Sequence, residues 1–308
     1  MNMGGPERQE DVAPFLFNLF SDREIIQLGP SLLQKPLAYF IARKRAPKSR
    51  AMYSRIGGGS PLLSLTQRQA AALEKALAEE GSDYTVAVAM RYWPPMADKA
   101  LSYLLAEKVD SIIAVSLYPH YSRATTGSSV NHLKKHLQKL APNLPLKIID
   151  AYPDQPEYIK ALADSIHAGI DRFDGDDNTV QILYSAHSLP VSFIRDGDPY
   201  VDHLNRTITA LEKLTGLPGK LCFQSKSGPV EWLSPSTPEM LEQQAEAGTK
   251  NLLMVPISFV SDHLETLYEI NILYRDKAEK LGMCLHSTRP LNDHPQFILC
   301  LKQLVLQA

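Results

Sequence analysis

Cysteine is scarce in this chain: Cys222, Cys284 and Cys300 are the only three in 308 residues, and no two form a CxxC pair. That excludes a disulfide framework and a structural zinc site, and it suits a reducing cytoplasm. No stretch approaches the roughly 20 consecutive apolar residues a membrane-crossing helix needs. The opening Met1-Asn2-Met3-Gly4-Gly5-Pro6 lacks the charged and then apolar run of a signal peptide. Neither sign of charge dominates: 32 basic against 34 acidic side chains leave a net −2, which gives no electrostatic basis for nucleic acid as a partner. Neither GxGxxG nor GxxxxGK followed by Ser or Thr occurs, so a nucleotide-binding loop is unsupported. Short repeats and low-complexity tracts are absent too. What the absences leave is an intracellular enzyme.

At 44% hydrophobic the chain can bury a large core, enough for two lobes. Apolar runs at Thr85–Met90, Ser111–Leu117, Leu146–Ile149, Val180–Ser185, Leu221–Phe223 and Leu252–Ile257 read as short strands. Between them lie helix-periodic segments, including Leu62–Glu80, Ala97–Lys108, Glu157–Phe173, Tyr200–Leu214 and Pro238–Ala247. Such alternation predicts βαβ units and mostly parallel sheets. Proline-bearing stretches near Ala141–Pro145 and Ala151–Pro156 bracket a lobe boundary. The predicted division is 1–147, joined by 290–308 with its final helix Pro295–Leu306 folding back, and 148–289.

Two stretches put unusual chemistry just past a strand end. In Leu183-Tyr184-Ser185-Ala186-His187-Ser188-Leu189-Pro190 an apolar run gives way to a histidine between serines. In Ser258-Phe259-Val260-Ser261-Asp262-His263-Leu264-Glu265-Thr266-Leu267-Tyr268-Glu269 the strand Leu252–Ile257 gives way to a histidine and carboxylates. Open α/β sheets bind ligands outside the carboxyl ends of their strands, so imidazole and carboxylate are expected in one cleft. Asp262, Glu265 and Glu269, spaced by three and four, form one acidic stripe if helical. An exposed stripe is only a solvated face. In a secluded site, like charges raise carboxylate pKa values and let such a stripe pass protons near neutral pH. His187 has its own bland alternative, a histidine satisfied by neighbouring hydroxyls.

Gly57-Gly58-Gly59-Ser60-Pro61 reads as a tight turn opening a helix, with Ser60 as N-cap, ahead of any phosphate-binding role. Thr125-Thr126-Gly127-Ser128-Ser129 is read likewise as a cap, with an anion site as the alternative. Phe15–Phe20 and Leu37–Ala42 are rich in aromatics, and Arg43-Lys44-Arg45 follows at once. These form either a core helix pair or an apolar lip with a basic rim, which suits a flat apolar ligand bearing carboxylates or shallow contact with a membrane surface.

Taken with Arg55-Ile56 before the glycine turn, Arg91-Tyr92, Tyr118-Pro119, Gln224-Ser225-Lys226, Gly228-Pro229 and Trp232-Leu233, these motifs resemble ferrochelatase nearly end to end. That family inserts ferrous iron into a porphyrin to make haem. The resemblance implies an α/β fold of two similar doubly wound lobes, each with a parallel four-stranded sheet flanked by helices, and a porphyrin cleft between them. It implies catalytic roles for His187, Glu265 and Glu269, the last continuing an acidic path along a locally widened helix. Arg45, Tyr53 and Ser60 are placed near the porphyrin propionates, and Met3, Arg91, Tyr92, Tyr118 and Trp232 along the pocket. Iron enters as a substrate, and no organic cofactor is needed.

The chemistry stands beside the resemblance. Metal insertion removes two pyrrole protons and exposes lone pairs that a planar ring hides, so it needs a base, a proton exit and a pocket that bends the ring. Imidazole and carboxylate are acceptable iron ligands as well, so His187 and Glu265 are candidates for base, metal ligand or both. Two departures from the family pattern stand out. Animal relatives carry clustered cysteines for a two-iron, two-sulfur cluster, whereas this chain has Arg123 at one ligand position and stops at Ala308, so no iron–sulfur cluster is expected. The family also has apolar residues before the Asn-Met-Gly-Gly-Pro turn that form a first strand, and here only Met1 precedes Asn2, so the first lobe is expected to lack most of it. The expected activity is insertion of iron into protoporphyrin IX. The rivals are a chelatase for coproporphyrin or another tetrapyrrole or metal, and a non-catalytic porphyrin or haem binder. Expected surroundings are the cytoplasm, with peripheral contact to the inner membrane through the apolar lip, as a monomer or homodimer.

Overall fold

Parallel pairing of short apolar runs builds both halves of the molecule. The computed structural model describes residues 1–81, 83–173, 180–226 and 228–308. They divide into two units, Met1–Ala151 with Ile298–Ala308, and Tyr152–Phe297.

In the first unit β1 (Ile112–Val115) pairs in parallel with β2 (Leu146–Ile149). Helices Ala97–Ala106 and Ser128–Leu140 cover β1 through Leu101, Leu133 and Leu137, which pack with Ile112 and Ala114. The four-stranded expectation is corrected here: among the described residues this unit has a two-stranded sheet. Among the described residues the expected strand Thr85–Met90 has no ladder: Met90 forms isolated bridges with Asn2 and Met96, and the Val86 amide donates to Glu74 Oε2 at 2.8 Å. The amide of Asn2 donates to the Ala89 carbonyl at 3.1 Å and that of Leu117 to the Met1 carbonyl at 2.9 Å, so residues 1 and 2 span from one rail to the other. Beyond that span, residues 83–89 and β1 face a cavity of about 760 Å³ lined also by Leu73, Leu77, Leu301 and Val305. An apolar run becomes a strand only when a neighbour supplies its hydrogen bonds.

The helix at Leu62 starts one step later than expected. Pro61, not Ser60, is its N-cap, while Ser60 Oγ still accepts from the Leu62 amide at 3.3 Å. Gly57 and Gly58 have φ of +103° and +96°, a region L side chains rarely adopt, so the turn alone requires glycine there. Along the helices Val12–Phe20 and Gln34–Ser54, Val12, Phe15, Ala38 and Ala42 are buried, whereas Phe40 is 69% exposed, as is Leu32 (89%) in the turn Ser31–Leu33 just before the second helix. The aromatic segment is thus core along one side and exposed apolar surface along the other.

The second unit carries the expected four parallel strands: β3 (Val180–His187), β4 (Gly219–Gln224), β5 (Asn251–Pro256) and β6 (Cys284–Ser287), in the order β4-β3-β5-β6. The central strands are apolar on both faces because helices cover both, and Ile182, Leu183, Tyr184 and Leu252 to Val255 are all essentially buried. Leu183, Cys222 and Met254 pack with Leu241 of the helix Thr237–Glu246 and with Ile270 and Tyr274 of the segment Glu265–Tyr274. The first of these helices is fixed by a capping box, Ser236 Oγ accepting from the Glu239 amide and the Glu239 carboxylate from the Ser236 amide. Strand β6 was not foreseen.

Candidate active site

The strand order creates the site. From β3 the chain crosses to β4 on one side, and from β5 it crosses to β6 on the other. The carboxyl ends of the adjacent β3 and β5 are therefore a topological switch point, where open α/β sheets leave a crevice. His187 is the last residue of β3, and the segment following β5 carries Ser258 and, further on, Glu265. Ser258 Oγ accepts from the His187 amide at 3.1 Å, and the Tyr200 hydroxyl donates to the His187 carbonyl at 3.0 Å, so backbone bonds fix the residue on both sides.

The His187 ring makes its own bond through Nδ1, 2.8 Å from Glu265 Oε2. With Nδ1–H donating to the carboxylate, the neutral imidazole presents Nε2 as its lone-pair nitrogen. About a third of the side chain remains exposed (37%), so that lone pair is reachable. Burial pulls the imidazole pKa down, but the charge and hydrogen bond of Glu265, with Glu269 behind it, prevail and hold it above its ordinary value. Glu265 shifts the opposite way. Burial would raise its pKa, but His187, then His263 and the Ser225 hydroxyl, hold it well below the usual carboxylate range.

Glu265 to Tyr274 form a π-helix, the locally widened turn that the resemblance implies. The residues expected on one acidic stripe separate. Glu265 and Glu269 both reach the hydroxyl of Ser225, at 2.9 and 2.6 Å. Asp262 lies ahead of the helix and is held elsewhere: its oxygens accept from Asn292 Nδ2 and Thr266 Oγ1, each at 2.9 Å. His263 is buried, with Nδ1 3.1 Å from the Ser261 carbonyl oxygen and its ring 4.3 Å from that of Phe259. Burial, against the opposing charge of Glu265, holds its pKa below the ordinary value.

Burial, then the charge of Glu265, raise the Glu269 pKa to about 7 from 4.5. Between those values the folded state keeps a proton that the unfolded state releases. The resulting stability is present below pH 4.5 and is lost as pH rises through 7. Glu269→Gln should therefore flatten the pH dependence and gain at most about 3 kcal/mol over wild type at pH 8 relative to pH 5. Urea unfolding of both proteins at the two pH values tests this, and parallel pH profiles would show that Glu269 titrates normally.

The other candidates are placed as follows. Trp232, in the same unit as His187, pairs with Pro190 through an antiparallel bridge and donates from Nε1 to the Gly228 carbonyl at 3.4 Å. In the first unit the Arg45 guanidinium lies 5.3 Å from the Phe20 ring centre on an exposed helix face. Tyr53 is buried, and the Met3 carbonyl accepts from the Tyr92 amide at 2.9 Å. Tyr118 follows β1, its amide donating to Ser116 Oγ at 3.2 Å. Arg91 and Tyr92 converge on Asp22: the guanidinium at 2.8 Å, the phenol at 2.6 Å, and the Ser128 hydroxyl beside them. Tyr92 is 2% exposed, so its ring is part of the core. Three residues of the His187 cluster carried no site role in the sequence: Gln224, whose Nε2 lies 3.4 Å from Glu265 Oε2, Ser225 and Tyr200. The signal for the first two is their place directly at the end of β4.

A family model described as Ferrochelatase matches residues 1–308. The chain belongs to the ferrochelatase family. It is 60% identical over 308 residues to the ferrochelatase of Desulfotalea psychrophila and 51% identical over 307 residues to that of Geotalea daltonii, covering 95% of each. These comparisons take in 100% and 99% of this chain. Among solved structures, SirB from Bacillus subtilis with Fe3+ shares the fold with a TM-score of 0.58 at 14% identity, over 79% of this chain and 89% of that one. The sirohydrochlorin chelatase SirB in complex with cobalt gives 0.56 at 13% identity, over 78% and 88%. Ferrochelatase membership makes the chain an enzyme, a lyase of haem biosynthesis for which ferrous iron is a substrate. No helix among the described residues is long and apolar enough to cross a membrane.

Proposed function

We propose that this chain inserts ferrous iron into protoporphyrin IX with His187 as the base, Glu265 as the charge that supports it and Glu269 as the next proton acceptor. The observation carrying this reading is the His187 Nδ1–Glu265 bond of 2.8 Å at the switch point of the second sheet. It aims the lone pair of Nε2 outward and places a carboxylate to stabilise the imidazolium that forms when a pyrrole proton is taken. A base is favoured over an iron-ligand pair because Glu265 Oε2 already accepts from both His187 and Ser225. Glu269, with its pKa near 7, can then take or release a proton at neutral pH without a large energy cost. We include the absence of an iron–sulfur cluster in this proposal, since the three cysteines are dispersed. Purified protein given ferrous iron with protoporphyrin IX or coproporphyrin, followed by absorbance, tests the reading. Haem formation from protoporphyrin at the higher kcat/KM supports it, and neither porphyrin being metallated would end it.

Arg45 is proposed to hold a propionate. Its guanidinium sits on an exposed helix face beside the aromatic lip, and a charge-assisted bond to a carboxylate contributes about 1.5–3 kcal/mol. Arg45→Ala should raise the KM for protoporphyrin roughly tenfold or more, with kcat nearly unchanged. Unaltered KM would remove Arg45 from the site.

A further inference from the structure

Ser225 follows the last residue of β4 and has a φ of +67°, a left-handed conformation that a non-glycine residue adopts at some cost. The conformation puts Oγ 2.9 Å from Glu265 Oε2 and 2.6 Å from Glu269 Oε2. A serine hydroxyl has one hydrogen to donate and otherwise only lone pairs. It can donate to one of these carboxyl groups, and at such distances the other contact is favourable only if that group donates to Oγ. Three oxygens in this arrangement share two protons, one belonging to the hydroxyl and one to the carboxyl pair. The series extends at both ends, to His187 Nδ1 at 2.8 Å from Glu265 and to the Tyr274 hydroxyl at 3.4 Å from Glu269.

We propose that Ser225 Oγ is the relay atom that passes the proton from Glu265 to Glu269. The inference rests on the base role assigned to His187. The relay starts once Glu269 has released its proton and is ionised: when the His187 imidazolium gives its Nδ1 proton to Glu265, the new carboxyl O–H is handed to Ser225 Oγ while the hydroxyl's own hydrogen moves to the Glu269 carboxylate. Two O–H bonds break and two form, the hydroxyl ends neutral, and no other reactant is required. The positive φ has a purpose in this arrangement, since it turns Oγ toward two residues of one π-helix. Gln224 completes the enclosure. Its Oε1 accepts from Ser185 Oγ at 2.6 Å, which turns Nε2 toward Glu265 and leaves Ser225 as the hydroxyl common to both carboxyl groups.

The test compares full-length wild type, Ser225→Ala, Glu269→Gln and the double variant, using ferrous iron and protoporphyrin IX. Ser225→Ala should lower kcat at least tenfold, leave the protoporphyrin Kd within about twofold, and reduce the solvent deuterium isotope effect on kcat if a slower step outside the relay takes over, or enlarge it if the interrupted transfer itself limits. The double variant should be no worse than the poorer single one, because both substitutions cut the same path. Ser225→Gly, which is unstrained at positive φ, serves if the alanine variant folds poorly, and its kcat should fall at least fivefold. With wild type active, a kcat within twofold of wild type for the hydroxyl-free variant, an unchanged isotope effect, or multiplicative losses in the double variant would overturn the relay while leaving the base assignment standing. Wild type that metallates no porphyrin would overturn the assignment on which the relay rests.

Discussion

His187→Ala should lower kcat for iron insertion about a thousandfold while protoporphyrin still binds within about threefold of its wild-type Kd. Loss of a positioned general base removes about 10²–10⁴ in rate. The exposed part of one imidazole, by contrast, contributes little to holding a large apolar ring. The backbone of this position is tied down independently of the side chain, by Ser258 at the amide and Tyr200 at the carbonyl, so alanine leaves the end of β3 in place. Single-turnover absorbance for insertion and fluorescence quenching for binding separate the two effects. Insertion at near wild-type rates would mean that the protons leave by another group, and loss of binding together with turnover would make the residue architectural.

Glu265→Gln comes next in size, with kcat falling about a hundredfold at pH 7 and porphyrin affinity nearly unchanged. Glutamine keeps the shape and still accepts through its amide oxygen, so His187 Nδ1 is not orphaned. What vanishes is the negative charge, which acts with the hydrogen bond to raise the imidazole pKa against burial. Without it the imidazole stays neutral to lower pH, so the acid limb of the kcat profile should move to lower pH even as the plateau drops. An acid limb at the wild-type position, with full turnover, would separate Glu265 from the base.

The sequence made some of this legible for local reasons. Val180–Ser185 and Leu252–Ile257 are apolar enough to be buried on both faces, and both became central strands, β3 extending to His187. Thr85–Met90 has the same local look and pairs with almost nothing, because a ladder depends on a neighbour that no window of sequence contains. Cys284–Ser287 went unseen for the reverse reason: its mixed composition carries little strand signal, and β5 alongside supplies the pairing. In the site, two strand ends predicted imidazole and carboxylate in one cleft, and the resemblance named His187 and Glu265, which bond at 2.8 Å. Asp262 was misplaced on the stripe because Asn292, thirty positions downstream in the chain, captures it. Ser225 was quoted only as part of a motif. Its significance lies in one backbone angle and two distances, neither of which composition or spacing encodes.

The uneven pairing of the two sheets has a consequence in time. Opening free energies differ from place to place within a native protein, and the least protected amides belong to backbone with few hydrogen bonds and few buried contacts. Residues 83–89 run beside a cavity of about 760 Å³ without a ladder. Their amides should trade hydrogen for deuterium through small local fluctuations, on a clock set by the first unit alone. Those of Ile182, Leu183 and Tyr184, bonded on both sides between β4 and β5, should exchange only when the second unit unfolds. His187, the last residue of β3, therefore belongs to the strand whose amides should exchange most slowly.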